Sequence, residues 1–275
     1  MPNQEKVTSI STSVNKQMGK WKYPWCGMWI ALPFILFWET SQTGWGDEFP
    51  FITMAIGAIL ILYIARITKK VRIQFWKDFA QKHGWTYSDK GDASNEKALL
   101  LSQARRTTIQ HVINGTFEDR PMRIFEMSFT IGSGDDSETY FYTVFEFTMK
   151  GAFPHIYLDK KSNQYKAKTG NAGVRIPLPT EFAKKYNLYA PEQYEIEALE
   201  IFNEDVMQYI LDEEFPHDVE IVDAEVLIFR DYHINTVEEL EKEYQAATKL
   251  LQKIEKRLDR SKLYTIGDKP HEMKR

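Results

Sequence analysis

Two apolar segments near the N-terminus constrain this chain more than any other feature. Residues 23–38 (YPWCGMWIALPFILFW) form a run of 16 without a charge, and residues 49–65 (FPFITMAIGAILILYIA) form a run of 17. Both runs lie at the lower limit for a helix that crosses about 30 Å of hydrocarbon at about 1.5 Å per residue. Aromatic residues at their ends are typical of membrane interfaces. The pattern predicts two transmembrane spans, 23–38 and 49–66, joined by the short loop 39–48.

Two other structures could account for these apolar runs. A buried core helix could be equally apolar, but a soluble core rarely places two charge-free runs so close together. A cleaved signal peptide could account for the first run, but no A-x-A-like site follows Trp38 and a second apolar run comes after it. The transmembrane hairpin 23–66 is therefore the favoured prediction.

The charged residues beside the spans predict their orientation. Lysines precede the first span, and the basic residues Arg66, Lys69, Lys70 and Arg72 follow the second. The loop between the spans has three acidic residues and no basic residue. By the positive-inside rule, both termini are expected in the cytoplasm, with residues 1–22 as a flexible tail, and the loop outside the cell (inner) membrane. The four basic residues are also candidate contacts to anionic lipid of the bilayer, although they could serve as topology signals alone.

The spans are expected to pack against each other because their connecting loop is short. Gly27 and Ala31 in the first span, and Thr53 and Gly57 in the second, form small-x-x-x-small pairs that allow close approach of two helices. No ionisable residue interrupts either span, whereas pumps, channels and transporters usually retain such residues. The hairpin is therefore interpreted as an anchor, and residues 67–84 are predicted to continue the second span as a helical stalk that ends at Gly84.

From residue 85 onward the pattern predicts a cytoplasmic α+β domain that extends to residue 260. Alternating apolar and polar residues indicate an antiparallel meander of strands joined by short turns. These strands are expected in residues 108–117, 121–132, 137–149 and 154–160. Residues 162–179 are typical of a loop, and the next elements are a strand at 194–202, a short helix capped by Asn203, and one or two strands in 218–231.

The C-terminal segment has the clearest helical pattern. Thr236 and Glu239 form a capping box ahead of an apolar stripe with spacings of three and four residues. The stripe consists of Val237, Leu240, Tyr244, Ala247, Leu251, Ile254 and Leu258. It can dock on the sheet or pair with a second copy, so a homodimer is possible, and residues 261–275 are expected to be a flexible tail.

Composition and the absence of known motifs argue against several classes of function. A net charge of −4 argues against nucleic acid as a partner, and the single cysteine, Cys26, excludes an intrachain disulfide and a cysteine-rich zinc site. The sequence has no P-loop, GxGxxG, GxSxG, HExxH or EF-hand signature, so no cofactor is expected and an enzyme is the less favoured class. Residues 192–243 carry a net charge of −16, which suits a basic partner, although a solvated acidic surface is the favoured interpretation.

A few polar residues in or beside the predicted strands remain candidates for chemistry. Glu126, His111 and His155 could form a site on the sheet, with Asp159 as a further carboxylate. The dipeptide His217-Asp218 could contribute to a metal site, but a lone pair without a second histidine cluster is a weak signal, and a loop histidine is the simpler interpretation.

Three segments resemble a family of uncharacterised bacterial membrane proteins that have two N-terminal transmembrane helices and a cytoplasmic α+β domain. They are residues 187–229 (NLYAPEQYEIEALEIFNEDVMQYILDEEFPHDVEIVDAEVLIF), 79–85 (FAQKHGW) and 129–147 (FTIGSGDDSETYFYTVFEF). The resemblance implies the layout of anchor, sheet domain and terminal helix. It supplies no activity and no catalytic residue.

The expected fold class is thus α+β, with a two-helix transmembrane hairpin, a mainly antiparallel sheet and a long C-terminal amphipathic helix. The favoured function is a non-enzymatic, membrane-anchored module that binds a protein partner or organises a complex at the inner face of the membrane. One alternative is a membrane-tethered enzyme with a site on the sheet. Another is a lipid-binding module that uses the aromatic residues of the sheet.

Overall fold

A computed structural model describes residues 49–92, 98–102, 107–131, 137–163, 172–231 and 233–261. The chain divides into two compact units: one contains residues up to His83 together with Asn235–Leu240, and the other contains Gly84–Ile234 and the residues from Glu241 onward. The predicted first span, the loop 39–48 and both predicted tails, apart from Ser261, lie outside the described residues, as do Gly27 and Ala31.

The first unit is dominated by one helix of 34 residues, α1 (Phe49–Lys82). It runs without interruption from the second predicted span into the predicted stalk, because no proline or glycine occurs between Arg66 and Gly84. Gly84 follows its end with a φ of +71°, the left-handed conformation expected of a residue that terminates a helix. Within the described part of the chain, no helix is both long enough and apolar enough to cross a membrane.

The second unit is built on a seven-stranded sheet with every pairing antiparallel. Its strands are β1 (Thr86–Lys90), β2 (Thr107–Phe117), β3 (Arg120–Ile131), β4 (Glu138–Lys160), β5 (Val174–Ile176), β6 (Tyr186–Ala190) and β7 (Asp218–Arg230). The order is β1-β2-β3-β4-β6-β5, and β7 also pairs with β4. The predicted α+β class with an antiparallel sheet is confirmed, whereas the two-helix hairpin is not seen in the described residues.

Helices complete the architecture. They are α2 (Leu99–Ser102), α3 (Thr180–Lys185), a 3-10 turn (Glu192–Tyr194), α4 (Glu195–Ile201), α5 (Glu204–Asp212) and α6 (Val237–Ser261). The segment 194–202 was predicted to be a strand and is instead helical. Only Ala198 and Ile201 of α4 are buried, which is helical spacing, and its alanine, leucine and glutamates are good helix formers. The alternation of glutamate with apolar residues is therefore coincidental.

The long strand β4 also departs from the prediction, which placed two strands in its 23 residues. Gly151 and Pro154 suggest a turn, but the structure absorbs them in irregular pairing with β7. Five steps along β4, from Thr148 to Phe153, lie opposite two steps along β7. Such bulges tolerate a proline that has no N–H to donate, so the strand bends and continues. The prediction of two separate strands is wrong.

The two faces of the sheet bury different side chains. On one face, Phe125, Val144 and Phe229 lie opposite one another across β3, β4 and β7 and pack in a cluster with Leu99 and Leu100 of α2. On the other face, the corresponding row is Ile124, Phe145 and Ile228, all fully buried. The predicted central, two-sided character of β4 therefore holds in this part of the strand, although Phe141 at its start is 41% exposed.

Helix α6 packs over the second of these faces. Arg120 of β3 forms an ion pair with Glu255 of α6, and Trp85 meets Tyr244 edge to face with ring centroids 5.3 Å apart. Of the predicted stripe, Leu240, Ala247, Leu251 and Ile254 are fully buried, Val237 and Tyr244 are half-buried, and the side chain of Leu258 lies outside the described residues. The described side chains of the stripe therefore pack largely within the chain itself.

A buried polar contact ties α6 to the sheet. His217 is enclosed by the rings of Phe145 and Phe215, and its Nε2 lies 2.8 Å from Oε2 of Glu243 on α6. Glu243 also accepts a hydrogen bond from Arg230. Burial lowers the pKa of His217, against the opposing effect of Glu243. Burial acts in the opposite sense on Glu243, but its contacts with His217 and Arg230 hold the pKa of this carboxyl below its usual value. A neutral imidazole beside an ionised carboxylate is the consistent assignment.

The cap of α5 gives a first test of the fold. Oδ1 of Asn203 accepts hydrogen bonds from the backbone N–H groups of Asp205 (2.9 Å) and Val206 (3.2 Å), as the sequence predicts. Asn203→Ala is expected to lower the free energy of unfolding by about 1 kcal/mol, because both donors lose their acceptor. Asn203→Ser retains an acceptor and serves as the control. Urea unfolding of the purified chain, followed by tryptophan fluorescence, measures both, and equal stability of the two variants would contradict the assignment.

The pH dependence of stability tests the His217 contact. Because the pKa of His217 is lower in the folded chain than the value of about 6.5 expected when unfolded, the unfolded chain takes up this proton first as pH falls. Stability supplied by the neutral imidazole is thus present above about pH 6.5 and is lost as pH falls below it. His217→Phe, which keeps an aromatic ring but removes the titrating nitrogen atoms, is expected to flatten the fall in melting temperature between pH 7 and pH 5. His83→Phe is the control, and parallel profiles for wild type and His217→Phe would refute the assignment.

Candidate functional site

The first half of α1 presents large apolar side chains that nothing in the described chain covers. Ile59 is 65% exposed and Leu62 is 61% exposed, and Ile56, Ile61 and Tyr63 are also exposed. No charged residue occurs between Phe49 and Ala65, so this part of the helix has no polar face to turn toward water. Exposed apolar surfaces of this kind mark contact with a membrane or with another protein.

The basic residues follow directly on the same helix. Arg66, Lys69 and Lys70 are exposed, whereas Arg72 is half-buried and donates a hydrogen bond from Nη1 to Oδ1 of Asn235, at 3.3 Å, within the same unit. Three of the four predicted contacts to anionic lipid are thus presented to the surroundings, and the fourth has a partner in the chain. Of the predicted packing residues, Thr53 and Gly57 belong to α1, and their predicted partners lie outside the described residues.

A second surface lies on α4, α5 and the segments beside them, and we call it the acidic surface. Its exposed carboxylates are Glu192, Glu195, Glu204, Asp205, Asp212, Glu213 and Glu214. Ile196, on α4, is 72% exposed. Other acids of the predicted acidic segment, including Asp218, Glu220 and Glu243, are buried and bonded inside the fold. Only part of the predicted charge is therefore available to a partner.

The sheet brings two of the three predicted catalytic candidates together. Glu126 on β3 is 1% exposed, its Oε2 lies 3.8 Å from Nε2 of His111, and its Oε1 lies 3.0 Å from Nδ1 of His233. Tyr87 Oη is 2.9 Å from the other ring nitrogen of His111. Burial, with the negative charges of Asp89 and Glu126, raises the pKa of the Tyr87 phenol. These four groups form a continuous chain of polar contacts.

A bulge in β2 produces this arrangement. The pairing of β2 with β3 shifts between Gln110 and Ile113, and His111 takes a left-handed backbone with a φ of 55°. Such a conformation is uncommon for a residue other than glycine, and bulges often redirect a side chain. Here the redirected side chain is the imidazole that meets Glu126 and Tyr87. A proton can be shared between Tyr87 and His111 and between Glu126 and His233, but the 3.8 Å between His111 and Glu126 is too long for a direct hydrogen bond. Among the described residues, no group of three His, Cys, Asp or Glu side chains could hold a metal ion.

The third candidate, His155, lies elsewhere. Its Nε2 is 2.7 Å from Oε1 of Glu220, which also accepts hydrogen bonds from the backbone of Leu99 and Leu100 in α2. Glu220 therefore belongs to the face that α2 covers. Phe125 and Met127 point to the face that α2 covers. Glu126 lies between them on β3, so its side chain points to the opposite face. The hypothesis of one site containing all three residues is wrong, because the pleat of the sheet separates them.

The remaining candidates have structural partners. Asp218 is buried and accepts hydrogen bonds from the Lys160 backbone (2.6 Å) and from Tyr157 Oη (3.3 Å), and burial raises its pKa well above its usual value. Its neighbour His217 contacts the other face, so the two side chains cannot ligate one metal ion. Asp159 accepts a hydrogen bond from Asn187 at 2.9 Å. His217 lies in the loop between α5 and β7, as the sequence predicts, but its ring is fully buried.

Sequence reasoning missed His233, Tyr87 and Glu220. His233 meets Glu126 across 107 residues of chain, and Glu220 meets His155 across 65. No local motif encodes such contacts. The irregular β2 pattern, in which His111 interrupts a run of alternating residues, is the one signal in the sequence that points to the bulge.

The sequence matches no protein-family model and no curated protein. Among solved structures, the fold is similar to that in the crystal structure of the mycobacterial trehalose monomycolate transport factor A, TtfA. The TM-score is 0.52 at 12% sequence identity, over 72% of this chain and 98% of that chain. At this identity the likeness concerns the fold alone, and it extends over nearly the whole of the solved chain.

Proposed function

We propose that this protein is anchored in the cell membrane by the spans 23–38 and 49–66, and that its α+β domain binds a protein partner at the cytoplasmic face. The proposal includes membership in the family of uncharacterised bacterial membrane proteins that the sequence resembles. The observation that carries it is the character of α1, which changes along one unbroken helix from exposed apolar to exposed basic side chains.

The energetics of α1 support the anchor. Burying a large aliphatic side chain is worth about 1.5–3 kcal/mol, so the exposed set in residues 56–63 favours an apolar surrounding by an amount on the order of 10 kcal/mol. The bilayer supplies that surrounding. Arg66, Lys69 and Lys70 then fall at the level of the headgroups, where each charge adds on the order of 1 kcal/mol with anionic lipid.

The acidic surface supports a partner of basic character. It combines seven exposed carboxylates with Ile196, which is 72% exposed, and interfaces commonly combine an apolar contact with polar or charged residues at the rim. Complementary charge accelerates such encounters. The buried carboxylates and histidines are engaged with groups of the fold, which favours a binding role for this domain over a chemical one.

Topology is tested by cysteine labelling in a Cys26→Ser background, in which no other cysteine remains. A membrane-impermeant maleimide applied to intact spheroplasts is expected to label Gly46→Cys in the loop. The matched variant Lys90→Cys, at an exposed position on β1, should react only after the membrane is permeabilised. Labelling of Lys90→Cys in intact spheroplasts, or release of the chain from membranes by carbonate, would overturn the anchor as proposed.

The likeness to TtfA favours a second candidate function. That protein is named as a transport factor for trehalose monomycolate, and the likeness in fold covers 72% of this chain. By analogy, the sheet domain would hold a lipid or lipid-linked compound at the membrane surface. This candidate predicts a lipid, and not a protein, as the bound component.

Photo-crosslinking separates the two candidates. Benzoylphenylalanine at Ile196 is expected to give a protein adduct in living cells, and the same probe at exposed Lys90 should not. Glu204→Gln combined with Asp205→Asn should reduce the yield several-fold, because it removes two charges of the acidic surface. Lipid that co-purifies and crosslinks at Phe141, without a protein adduct at Ile196, would replace the first candidate with the second.

A further inference from the structure

The register of β4 and β6 brings two Lys-Lys dipeptides together. Lys160, at the end of β4, lies opposite Tyr186, and the backbone N–H of Lys161 donates to the carbonyl oxygen of Lys185 at 2.9 Å. Lys184 and Lys185 end α3 immediately before β6. Four lysines that are separated by more than twenty residues in sequence thus converge at one corner of the second unit.

These lysines line a cavity of about 450 Å³. Glu214 also lines it, so four positive charges and one negative charge leave a net charge of +3. Phe215 and Ile210 provide an apolar wall. The volume is in the range of small-molecule sites, which are largely apolar with a few polar groups that orient the ligand.

The lysines nearest the strand end are held by neutral groups. Lys160 Nζ donates to the carbonyl oxygen of Phe215 at 3.1 Å, and Lys161 Nζ donates to that of Ala183. Lys184 forms an ion pair with Glu181 at 2.6 Å, but both side chains are largely exposed, so this pair neutralises little of the field inside the cavity. Burial, followed by the positive charges of Arg230 and Lys185, lowers the pKa of Lys160, against the attraction of Asp218.

Like charges that line one cavity repel one another, and an anion in the cavity would relieve that repulsion. Lysine is a common ligand of phosphate, to which it contributes a positive charge and up to three N–H donors. An apolar wall beside the charges suits a ligand in which the phosphate is attached to a carbon skeleton.

We propose that this cavity binds the phosphate group of an anionic ligand, with Lys160 and Lys185 as the principal contacts. The phosphate can belong to a lipid headgroup or to a free phosphate compound. The site goes beyond the proposed anchoring and partner binding and does not depend on them, because every residue in it belongs to the second unit.

Calorimetry on the full chain in an uncharged detergent tests the proposal with three probes. Dihexanoyl phosphatidate and inorganic phosphate carry the expected group, and dihexanoyl phosphatidylcholine is the zwitterionic control. Tighter binding of phosphatidate than of phosphate identifies a lipid source, and equal binding identifies a free phosphate compound. Binding of neither anion, or equal binding of phosphatidylcholine and phosphatidate, overturns the proposal.

Matched variants locate the site. Lys160→Gln combined with Lys185→Gln is expected to raise the Kd of the tighter anion by about tenfold or more, since two charged contacts are lost. Lys90→Gln combined with Lys150→Gln removes the same charge at exposed positions and should change the Kd less than about twofold. An equal effect of the two double variants refutes the site.

A second measurement needs no variant. Acetylation of the wild-type chain, quantified by peptide mass spectrometry, is expected to slow several-fold at Lys160 and Lys185 when the anion is bound. Lys90 and Lys150 should react at an unchanged rate. Equal protection of all four lysines, or protection of none, overturns the assignment even if the double variant fails to fold.

Discussion

The pairing of β4 with three other strands is the constraint on which the second unit depends. β3 pairs with its first half, β7 lies along its other side, and β6 joins at its end. Because its side chains in the region of Val144 and Phe145 are buried on both faces, a slip of one residue would exchange the two cores. Farther along the same strand, the pairing of β4 with β6 places Lys160 opposite Tyr186 and Lys161 beside Lys185. Packing and the arrangement of charge thus share one determinant.

The buried carboxylates of this fold each join two or more secondary-structure elements. Glu220 fastens α2 and His155 to the sheet, Glu243 joins α6 to Arg230 and His217, and Glu126 joins β3 to His111 and His233. A buried carboxylate is costly unless it is paired and hydrogen-bonded, so each one specifies which elements must meet. The strongly acidic composition of residues 192–243 therefore describes two populations, an internal one that organises the core and an external one that faces the surroundings.

Features set by local chemistry could be predicted from the sequence, and features set by long-range register could not. The Asn203 cap, Gly84 at the end of α1 and the stripe of α6 each depend on residues within a few positions of one another. β4 is one continuous strand because it pairs with β7 on both sides of Gly151 and Pro154, residues that usually indicate a turn. In the candidate sites, Glu126 and His111 were anticipated as neighbours, but His233 and the lysine cluster were not. Their proximity arises only when distant strands have been placed side by side.

Helix α1 fixes an angle as well as a length. With about 3.6 residues per turn, each residue advances the helix by about 100°, and no glycine or proline between Arg66 and Lys82 can absorb an error in that rotation. The direction in which Ile59 and Leu62 point from the helix axis therefore fixes the direction of the buried side chains Val71, Phe75 and Phe79. A chain of this design tolerates substitutions along the rod more readily than insertions, because a single added residue would turn one end by more than a quarter of a revolution relative to the other.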